Sequence, residues 1–272
     1  MHTSQQHHRP VHPAFGRHEL GQNFLADRRV IARIAAAAGA SDDPILEIGP
    51  GDGALTVALA GLGRPVTAVE LDARRARRLA ATAPPGVRVD VGDILDYRLP
   101  NRPYVIVGNI PFHLTTAILR KVLAAPHWTE ALLLVQWEVA RRRAGVGGAS
   151  QLTAQWWPWF AFTLLERVPA HAFRPKPSVD GGLLRIERRP RPFVEGRGAY
   201  QRFVARTFAA PGRGLVDILP RTTRLPRPVL ERWMSQHGVA PRALPKQLTA
   251  EQWAGLWRLA DAGARGADRR GR

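Results

Sequence analysis

The chain has 272 residues, enough for one large domain and a smaller one. It carries 40 Lys and Arg against 22 Asp and Glu, a net charge of +18, which predicts a positive surface that attracts polyanions. The absence of cysteine excludes disulfides, cysteine-ligated zinc and any cysteine nucleophile, including the covalent route by which pyrimidine carbons are usually methylated.

In chain order, residues 1–15 are rich in His, Gln and Pro, which predicts a disordered N-terminal tail. Asp27 then caps a helix predicted to run to residue 40. From Pro44 onward short apolar runs alternate with helical stretches, which predicts a parallel sheet covered by helices on both faces. The predicted strands are 45–48, 66–69, 87–91, 104–107 and 132–135. The predicted helices between them are 54–60, 73–81, 115–123 and 138–143.

Two further apolar runs, 160–165 and 182–186, are predicted to close the sheet as an antiparallel pair. Segment 188–192 contains two prolines and three arginines, a composition that suits neither helix nor strand, so we interpret it as a linker. Helical spacing of apolar residues then predicts a small all-helical region at 200–208, 227–237 and 250–262. The predicted organisation is therefore a tail at 1–15, an α/β domain at 16–190, a helical domain at 191–262 and a disordered basic tail at 263–272.

The positive charge is concentrated in the second part of the chain. Residues 1–173 have 19 basic and 14 acidic residues, a net of +5, whereas residues 174–272 have 21 and 8, a net of +13. We predict that the second part contacts a phosphate backbone. No apolar stretch approaches the ~20 residues that span a bilayer, and the N-terminus lacks an apolar signal core, so a soluble cytoplasmic protein is expected.

A glycine-rich loop follows the first predicted strand of the sheet, in the order Glu47-Ile48-Gly49-Pro50-Gly51-Asp52-Gly53. Glycines let the backbone turn tightly and approach a ligand with no side chain between them. Pro50 removes an amide donor that a pyrophosphate would need, which favours a nucleoside without phosphate, such as S-adenosylmethionine. Gly49 and Gly51 are thus predicted cofactor contacts, with a purely structural turn as the alternative.

Two acids end later strands of the predicted sheet. Glu70 stands about twenty residues after the glycine loop, where an acid accepts hydrogen bonds from both ribose hydroxyls. Asp93 follows the third strand and is placed to accept from an adenine amino group, with Ile94 packed on the ring. The alternatives are a surface acid for Glu70 and a helix cap for Asp93.

The fourth strand is followed by the tetrapeptide Asn109-Ile110-Pro111-Phe112. The exocyclic amine of adenine is a poor nucleophile because its lone pair is delocalised into the ring. The Asn109 oxygen and the Ile110 carbonyl can accept hydrogen bonds from its two N–H groups. Pro111 fixes the direction of that carbonyl, while Phe112 offers a face for an extruded base, worth ~1–3 kcal/mol. This arrangement indicates methylation of a base amine, whereas a simple strand-exit turn is the alternative.

A second aromatic residue, Phe173, begins a proline-stiffened loop at 173–180. We predict that Phe173 clamps the other face of the base while Arg174 and Lys176 reach phosphates, the alternative being a connector without substrate contact. Arg141 and Arg142 are predicted at the RNA surface or, alternatively, at a solvated helix end. The tryptophans of segment 156–159 are predicted to pack in the core or between domains.

Taken together, these motifs closely resemble the Erm family of 23S rRNA adenine N6-methyltransferases. The resemblance is carried over roughly residues 16–262 by 21–25 (Gly-Gln-Asn-Phe-Leu), 47–53, Glu70, 92–94, 109–112 and 173–180. It implies a Rossmann-like methyltransferase sheet with a seventh, antiparallel strand and a helical C-terminal domain that binds RNA. It further implies mono- or dimethylation of one adenine and resistance to macrolide, lincosamide and streptogramin B antibiotics.

The resemblance also implies a cofactor site and a set of partners. Asn23 and Leu25 are implied to line the S-adenosylmethionine site with Gly49, Glu70, Asp93 and Asn109. The implied partner is unassembled or precursor 23S rRNA, and we expect a monomer with no metal and no membrane contact. Phe112 departs from the Tyr more frequent in the family, and stacking requires only the ring.

Three alternatives stay open. The small-subunit 16S rRNA dimethyladenosine transferases typically carry Asn-Leu-Pro-Tyr, so Ile110 and the region 156–159 favour Erm. A non-catalytic RNA-binding factor on the same fold would be expected to lose Glu70 or the segment 109–112. A DNA adenine methyltransferase would normally show Asn-Pro-Pro-aromatic or its Asp counterpart and a target-recognition segment.

Overall fold

The computed structural model describes residues 23–223 and 225–270, with side chains described as far as residue 263. The predicted tail at 1–15 lies outside the described residues, as do residues 16–22 of the predicted α/β domain. No helix in the described ranges is long and apolar enough to cross a membrane.

A seven-stranded sheet forms the centre of the N-terminal part. Its strands are β2 (Ile45–Ile48), β3 (Val66–Glu70), β4 (Val87–Val91), β5 (Tyr104–Asn109), β6 (Trp128–Gln136), β7 (Phe160–Val168) and β9 (Gly181–Arg188), while β1 (Phe24–Leu25) and β8 (Phe173–Arg174) form a separate pair. The spatial order of the large sheet is β4-β3-β2-β5-β6-β9-β7. Strands β2 to β6 are parallel, and β9 is antiparallel to both β6 and β7. The predicted parallel sheet, its antiparallel closing pair and the antiparallel seventh strand are confirmed.

Strand β6 begins at Trp128, earlier than the predicted start at residue 132. Its first residues include Thr129 and Glu130, whose polarity interrupts the apolar run. Glu130 forms an ion pair with Arg185 of β9. A salt bridge inside a sheet has no signal in an apolar pattern, which explains the missed residues.

Helices cover both faces of the sheet, as predicted. Those of the N-terminal part are α1 (Arg28–Ala38), α2 (Ala54–Ala60), α3 (Ala73–Thr82), α4 (Thr115–Ala124), α5 (Trp137–Arg143) and α6 (Gln151–Trp156). Successive residues of β5 point to opposite faces: Ile106 belongs to one apolar core with α4, and Val105 and Val107 to another with α1 and α2. The predicted N-cap is present, because the Asp27 carboxylate accepts from the amides of residues 29 and 30.

The C-terminal part is helical, with α7 (Arg197–Ala209), α8 (Leu215–Thr222), α9 (Arg227–Gln236) and α10 (Ala250–Arg270) packed around a third apolar core. The sequence predicted three of these helices and missed α8, which is short and contains Pro220. Trp157 and Trp159 pack against this core and against one core of the sheet, so the predicted packing of tryptophan between the two parts is confirmed.

One predicted boundary is wrong. Helix α10 continues to Arg270, through most of the segment 263–272 for which the sequence predicted disorder. A glycine lowers helix stability by only about 1 kcal/mol, so Gly263 and Gly266 do not end a helix already nucleated upstream. The proposed division between domains at residue 190 stays a prediction.

Candidate active site

A cleft opens where the carboxyl ends of four parallel strands meet, the edge at which open α/β sheets bind ligands. The described residues that line it come from the ends of β2 to β5 and from the loops that follow. They are Asn23, Phe24, Ile48, Gly49, Gly51, Val69, Glu70, Leu71, Gly92, Asp93, Ile94, Asn109, Ile110, Pro111, Phe112, His113, Leu114 and Ile118. Separate sequence motifs therefore meet in one place.

The glycine loop after β2 has a backbone conformation that residues with a side chain rarely adopt. Gly49, Gly51 and Gly53 have φ values of +66°, +56° and +86°. A Cβ at Gly51 would lie 2.7 Å from the ring of Phe24, whereas one at Gly49 would meet nothing within 4 Å. Gly51 thus allows close packing of the loop, and Gly49 faces open space that a ligand can approach.

Glu70 ends β3 with its side chain almost fully buried, at 3% exposure. One carboxylate oxygen accepts from the Gly51 amide at 3.0 Å and the other from the Asp72 amide at 2.9 Å. The alternative that Glu70 is a surface acid is wrong. These two bonds fix the carboxylate beneath the glycine loop, and each oxygen keeps a further lone pair.

A second acid lies deeper than Glu70. Glu47 of β2 is 1% exposed and does not line the cleft. Burial raises the pKa of Glu47 to about 7, the neighbouring Thr56 hydroxyl opposes this rise, and the charge of Glu70 adds to it. A carboxyl that titrates near neutrality therefore lies under the loop.

Asp93 follows β4 and faces the cleft, as predicted from the sequence. Its side chain also accepts from the Leu95 amide at 2.8 Å, which fixes the turn. Asp93 thus combines the predicted placement with a capping role, because it lines the cleft and one of its carboxylate oxygens accepts locally. The adjacent Ile94 is 8% exposed and lines the cleft with its apolar side chain.

Asn109 ends β5, and its side-chain amide donates to the backbone carbonyl of Asn23 at 2.7 Å. Because the amide nitrogen is used in this way, the side-chain oxygen is the acceptor that Asn109 offers to the cleft. The backbone amide of Ile110 donates to the Leu134 carbonyl at 2.9 Å, which ties the tetrapeptide to β6. Phe112 begins a short 3-10 turn and is partly exposed in the cleft wall.

The carbonyl of Asn23 is held in place by a small two-stranded sheet. Strand β1 (Phe24–Leu25) pairs antiparallel with β8 (Phe173–Arg174), and the Ala26 amide donates to the Ala172 carbonyl at 2.8 Å. Alternate residues of a strand point to opposite sides, so Phe24 faces the cleft and Leu25, at 7% exposure, packs in the core. The prediction that Leu25 lines the site is wrong for its side chain.

The predicted base clamp at Phe173 is also wrong. Its ring is 0% exposed and belongs to the same apolar core as α1 and α2. A Cβ at Gly181 would lie 3.0 Å from the Phe173 ring, so the ring packs against the start of β9. The sequence could not distinguish an aromatic residue at a substrate face from one that anchors β8 beneath β1.

The four predicted RNA contacts lie outside the cleft wall. Arg141 forms an ion pair with Glu138 at 3.2 Å, and the exposed Arg174 donates to the carbonyls of His171 and Phe173. Arg142 and Lys176 have exposed side chains. Their role in RNA contact stays a prediction.

Sequence reasoning missed several residues of the cleft. Phe24 stands between two residues that the resemblance had implicated, and Leu71 directly follows Glu70. Leu114 and Ile118 lie four residues apart after the tetrapeptide, a helical spacing that could have placed both on one face. No group of three His, Asp or Glu suited to a metal occurs in the described part of the chain.

Comparison with known proteins gives a consistent assignment for residues 15–261, which match the family model described as ribosomal RNA adenine dimethylase. The mycinamicin-resistance protein MyrB of Micromonospora griseorubida is 52% identical over 247 residues, covering 90% of this chain and 79% of that protein. An rRNA adenine N-6-methyltransferase of Corynebacterium diphtheriae is 56% identical over 209 residues, covering 76% and 83%. The crystal structure of the 23S rRNA methyltransferase ErmE superposes with a TM-score of 0.80 at 37% identity, covering 88% of this chain and 100% of that one.

Proposed function

This chain belongs to the ribosomal RNA adenine dimethylase family, and we propose from that premise that it methylates the N6 of one adenine in 23S rRNA, with S-adenosylmethionine as donor, and so confers resistance to macrolide-type antibiotics. The observation that carries the proposal is that one cleft is lined both by the buried carboxylate of Glu70 and by the Asn109 side chain, whose amide nitrogen is held by the Asn23 carbonyl.

The residues of the cleft fit the proposed cofactor. Bound S-adenosylmethionine supplies an electrophilic methyl group on a sulfonium centre. Gly49 leaves space beside the loop, and the fixed carboxylate of Glu70 has lone pairs left for ribose hydroxyls. Asp93 offers an acceptor for an adenine amine, and Ile94 offers an apolar face for the ring. Pro50 in the loop lacks a backbone N–H to donate to a phosphate, which disfavours a phosphate-bearing ligand.

The tetrapeptide supplies the groups that act on the substrate base. The Asn109 oxygen and the Ile110 carbonyl accept hydrogen bonds from the two N–H groups of the target amine. These bonds draw the nitrogen towards a pyramidal and more nucleophilic geometry. Phe112 stacks on the base after it is extruded from the RNA. No general base is assigned, because alignment of the reacting atoms supplies most of the acceleration.

The choice of 23S over 16S rRNA rests on the relatives and on the sequence. MyrB is a mycinamicin-resistance protein and ErmE a 23S rRNA methyltransferase by their names, and Ile110 departs from the Asn-Leu-Pro-Tyr of the 16S enzymes. A non-catalytic RNA-binding role is disfavoured because Glu70 and the tetrapeptide are both retained. We further propose that the protein is a monomer and that it acts in the cytoplasm on unassembled or precursor 23S rRNA.

The test incubates the protein with labelled S-adenosylmethionine and protein-free 23S or 16S rRNA. Primer extension then maps the modified base, and mass spectrometry of that nucleotide counts the methyl groups. We expect label at one adenine of 23S rRNA, whereas label only in 16S rRNA would overturn the assignment. A matched arm with the Asn109→Ala variant shows whether the label depends on the cleft.

A further inference from the structure

We propose that Arg75 is a positioning residue that holds the ring of Phe24 against the glycine loop and so maintains one wall of the cofactor cleft. The inference rests on the proposed binding of S-adenosylmethionine and assigns a role to a side chain outside the cleft wall. Arg75 lies in α3, the helix after Glu70, whereas Phe24 comes from β1, about fifty residues earlier in the chain.

Phe24 is placed where a ligand would touch it. It lines the cleft, and its ring approaches the Gly51 backbone so closely that a Cβ at Gly51 would lie 2.7 Å away. Within the described residues, Phe24 belongs to none of the three apolar cores. Core packing therefore does not fix its ring, and another contact is needed to hold it.

Arg75 provides that contact. The centre of its guanidinium lies 4.5 Å from the centroid of the Phe24 ring, within the range of a cation–π interaction. The same guanidinium bonds Asp52 of the glycine loop at 2.8 Å and lies 3.8 Å from Asp72 at the start of α3. One planar side chain thus contacts the ring, the loop and the start of the helix, with two carboxylates within ion-pair distance of its guanidinium.

Strand β1 extends the effect towards the catalytic tetrapeptide. The residue before Phe24 supplies the carbonyl that accepts from the Asn109 side chain. The pairing of β1 with β8 anchors this carbonyl independently of Arg75. Loss of Arg75 is therefore expected to weaken cofactor binding more than it lowers kcat.

The experiment measures the Kd of S-adenosylmethionine by calorimetry, without RNA, for the full chain and for Arg75→Ala. We expect the Kd to rise about 3- to 10-fold, which corresponds to about 0.7–1.4 kcal/mol. Arg77→Ala is the matched control, because it removes the same charge from an exposed position of the same helix and should leave the Kd unchanged. Arg75→Lys keeps the charge over the ring and should restore part of the affinity.

A double-mutant cycle separates positioning from a general charge effect. In a Phe24→Ala background, Arg75→Ala should leave the Kd unchanged, because there is no ring left to hold. Equal effects of Arg75→Ala in both backgrounds, or wild-type affinity of the single variant, would overturn the inference. If the unaltered protein binds no S-adenosylmethionine, the proposed function fails instead. Melting temperatures, recorded for all variants, check that each variant is folded at the temperature of the calorimetry.

Discussion

The cleft of the sheet and the helical C-terminal part use polar groups in opposite ways. In the cleft, polar side chains are wholly or partly buried and bonded across long stretches of sequence, as in the bond from Asn109 to Asn23, 86 residues apart. In the C-terminal part, rings such as Tyr200, Phe203 and Trp253 fill the core, and exposed Arg side chains cover the surface. Residues 191–272 have 16 basic and 6 acidic residues, a net of +10 out of the total of +18. The comparison indicates that precise chemistry depends on fixed buried groups, whereas affinity for a polyanion depends on solvated surface charge.

The largest expected effect comes from removing the fixed amide of the cleft. Asn109→Ala should lower turnover by at least ~10³-fold, because it removes an acceptor aimed at the reacting amine. The Kd of S-adenosylmethionine should change by less than ~5-fold, because Glu70 and Asp93 remain in place. Asn101→Ala, in an exposed loop before β5, is the control. Wild-type turnover by Asn109→Ala would remove this residue from the mechanism.

The two phenylalanines offer the next test of the comparison. Phe173→Ala should reduce the free energy of unfolding by about 3–5 kcal/mol, because it opens a cavity in a fully buried site. Phe112→Ala, in the cleft wall, should change it far less while lowering turnover through lost stacking. Urea denaturation and steady-state kinetics measure the two effects. An unaltered unfolding free energy in Phe173→Ala, with weakened binding of RNA, would restore the clamp role.

A pH titration tests the buried acid beneath the loop. Burial raises the pKa of Glu47 from 4.5 to about 7, so the unfolded chain releases this proton at lower pH than the folded chain does. Stability should therefore fall as pH rises from about 4.5 to about 7, by a few kcal/mol, and this loss should persist at higher pH.

Glu47→Gln should remove this pH-dependent loss, so the stability of the variant should depend less on pH across that window. The measurement is urea denaturation at several pH values, with the exposed Asp42→Asn as control. Parallel stability profiles for Glu47→Gln and the wild type would show that Glu47 is not the titrating group.

The smallest expected effect concerns surface charge. Replacement of Arg202, Arg213 and Arg232 by Gln should weaken RNA binding by about 1 kcal/mol and reduce its salt dependence, without changing the Kd of S-adenosylmethionine. The matched variant replaces Arg74, Arg77 and Arg78 of α3, which are equally exposed. Filter binding at several salt concentrations compares the two. Equal losses of RNA affinity in the two variants would show that positive charge acts uniformly over the surface. RNA binding could then not be assigned to the C-terminal part.

The sequence by itself determined most of the sheet and the local chemistry of the cleft. Strands repeat every two residues and helices every 3.6, so their apolar patterns are readable without a partner. The glycine loop, Glu70, Asp93 and the tetrapeptide each directly follow or end a strand, and parallel strands bring such ends to one edge. The placement of these motifs in one cleft follows from their order along the chain.

Only the tertiary structure decided the contacts between segments distant in sequence. Phe173 lies in the core, Phe24 lies in the cleft wall, and the Asn109 amide meets the Asn23 carbonyl because β1 pairs with β8. A two-residue strand has no periodic pattern, and the direction of an aromatic ring depends on the surfaces that surround it. Such pairings depend on packing across the whole chain, which no local sequence pattern records.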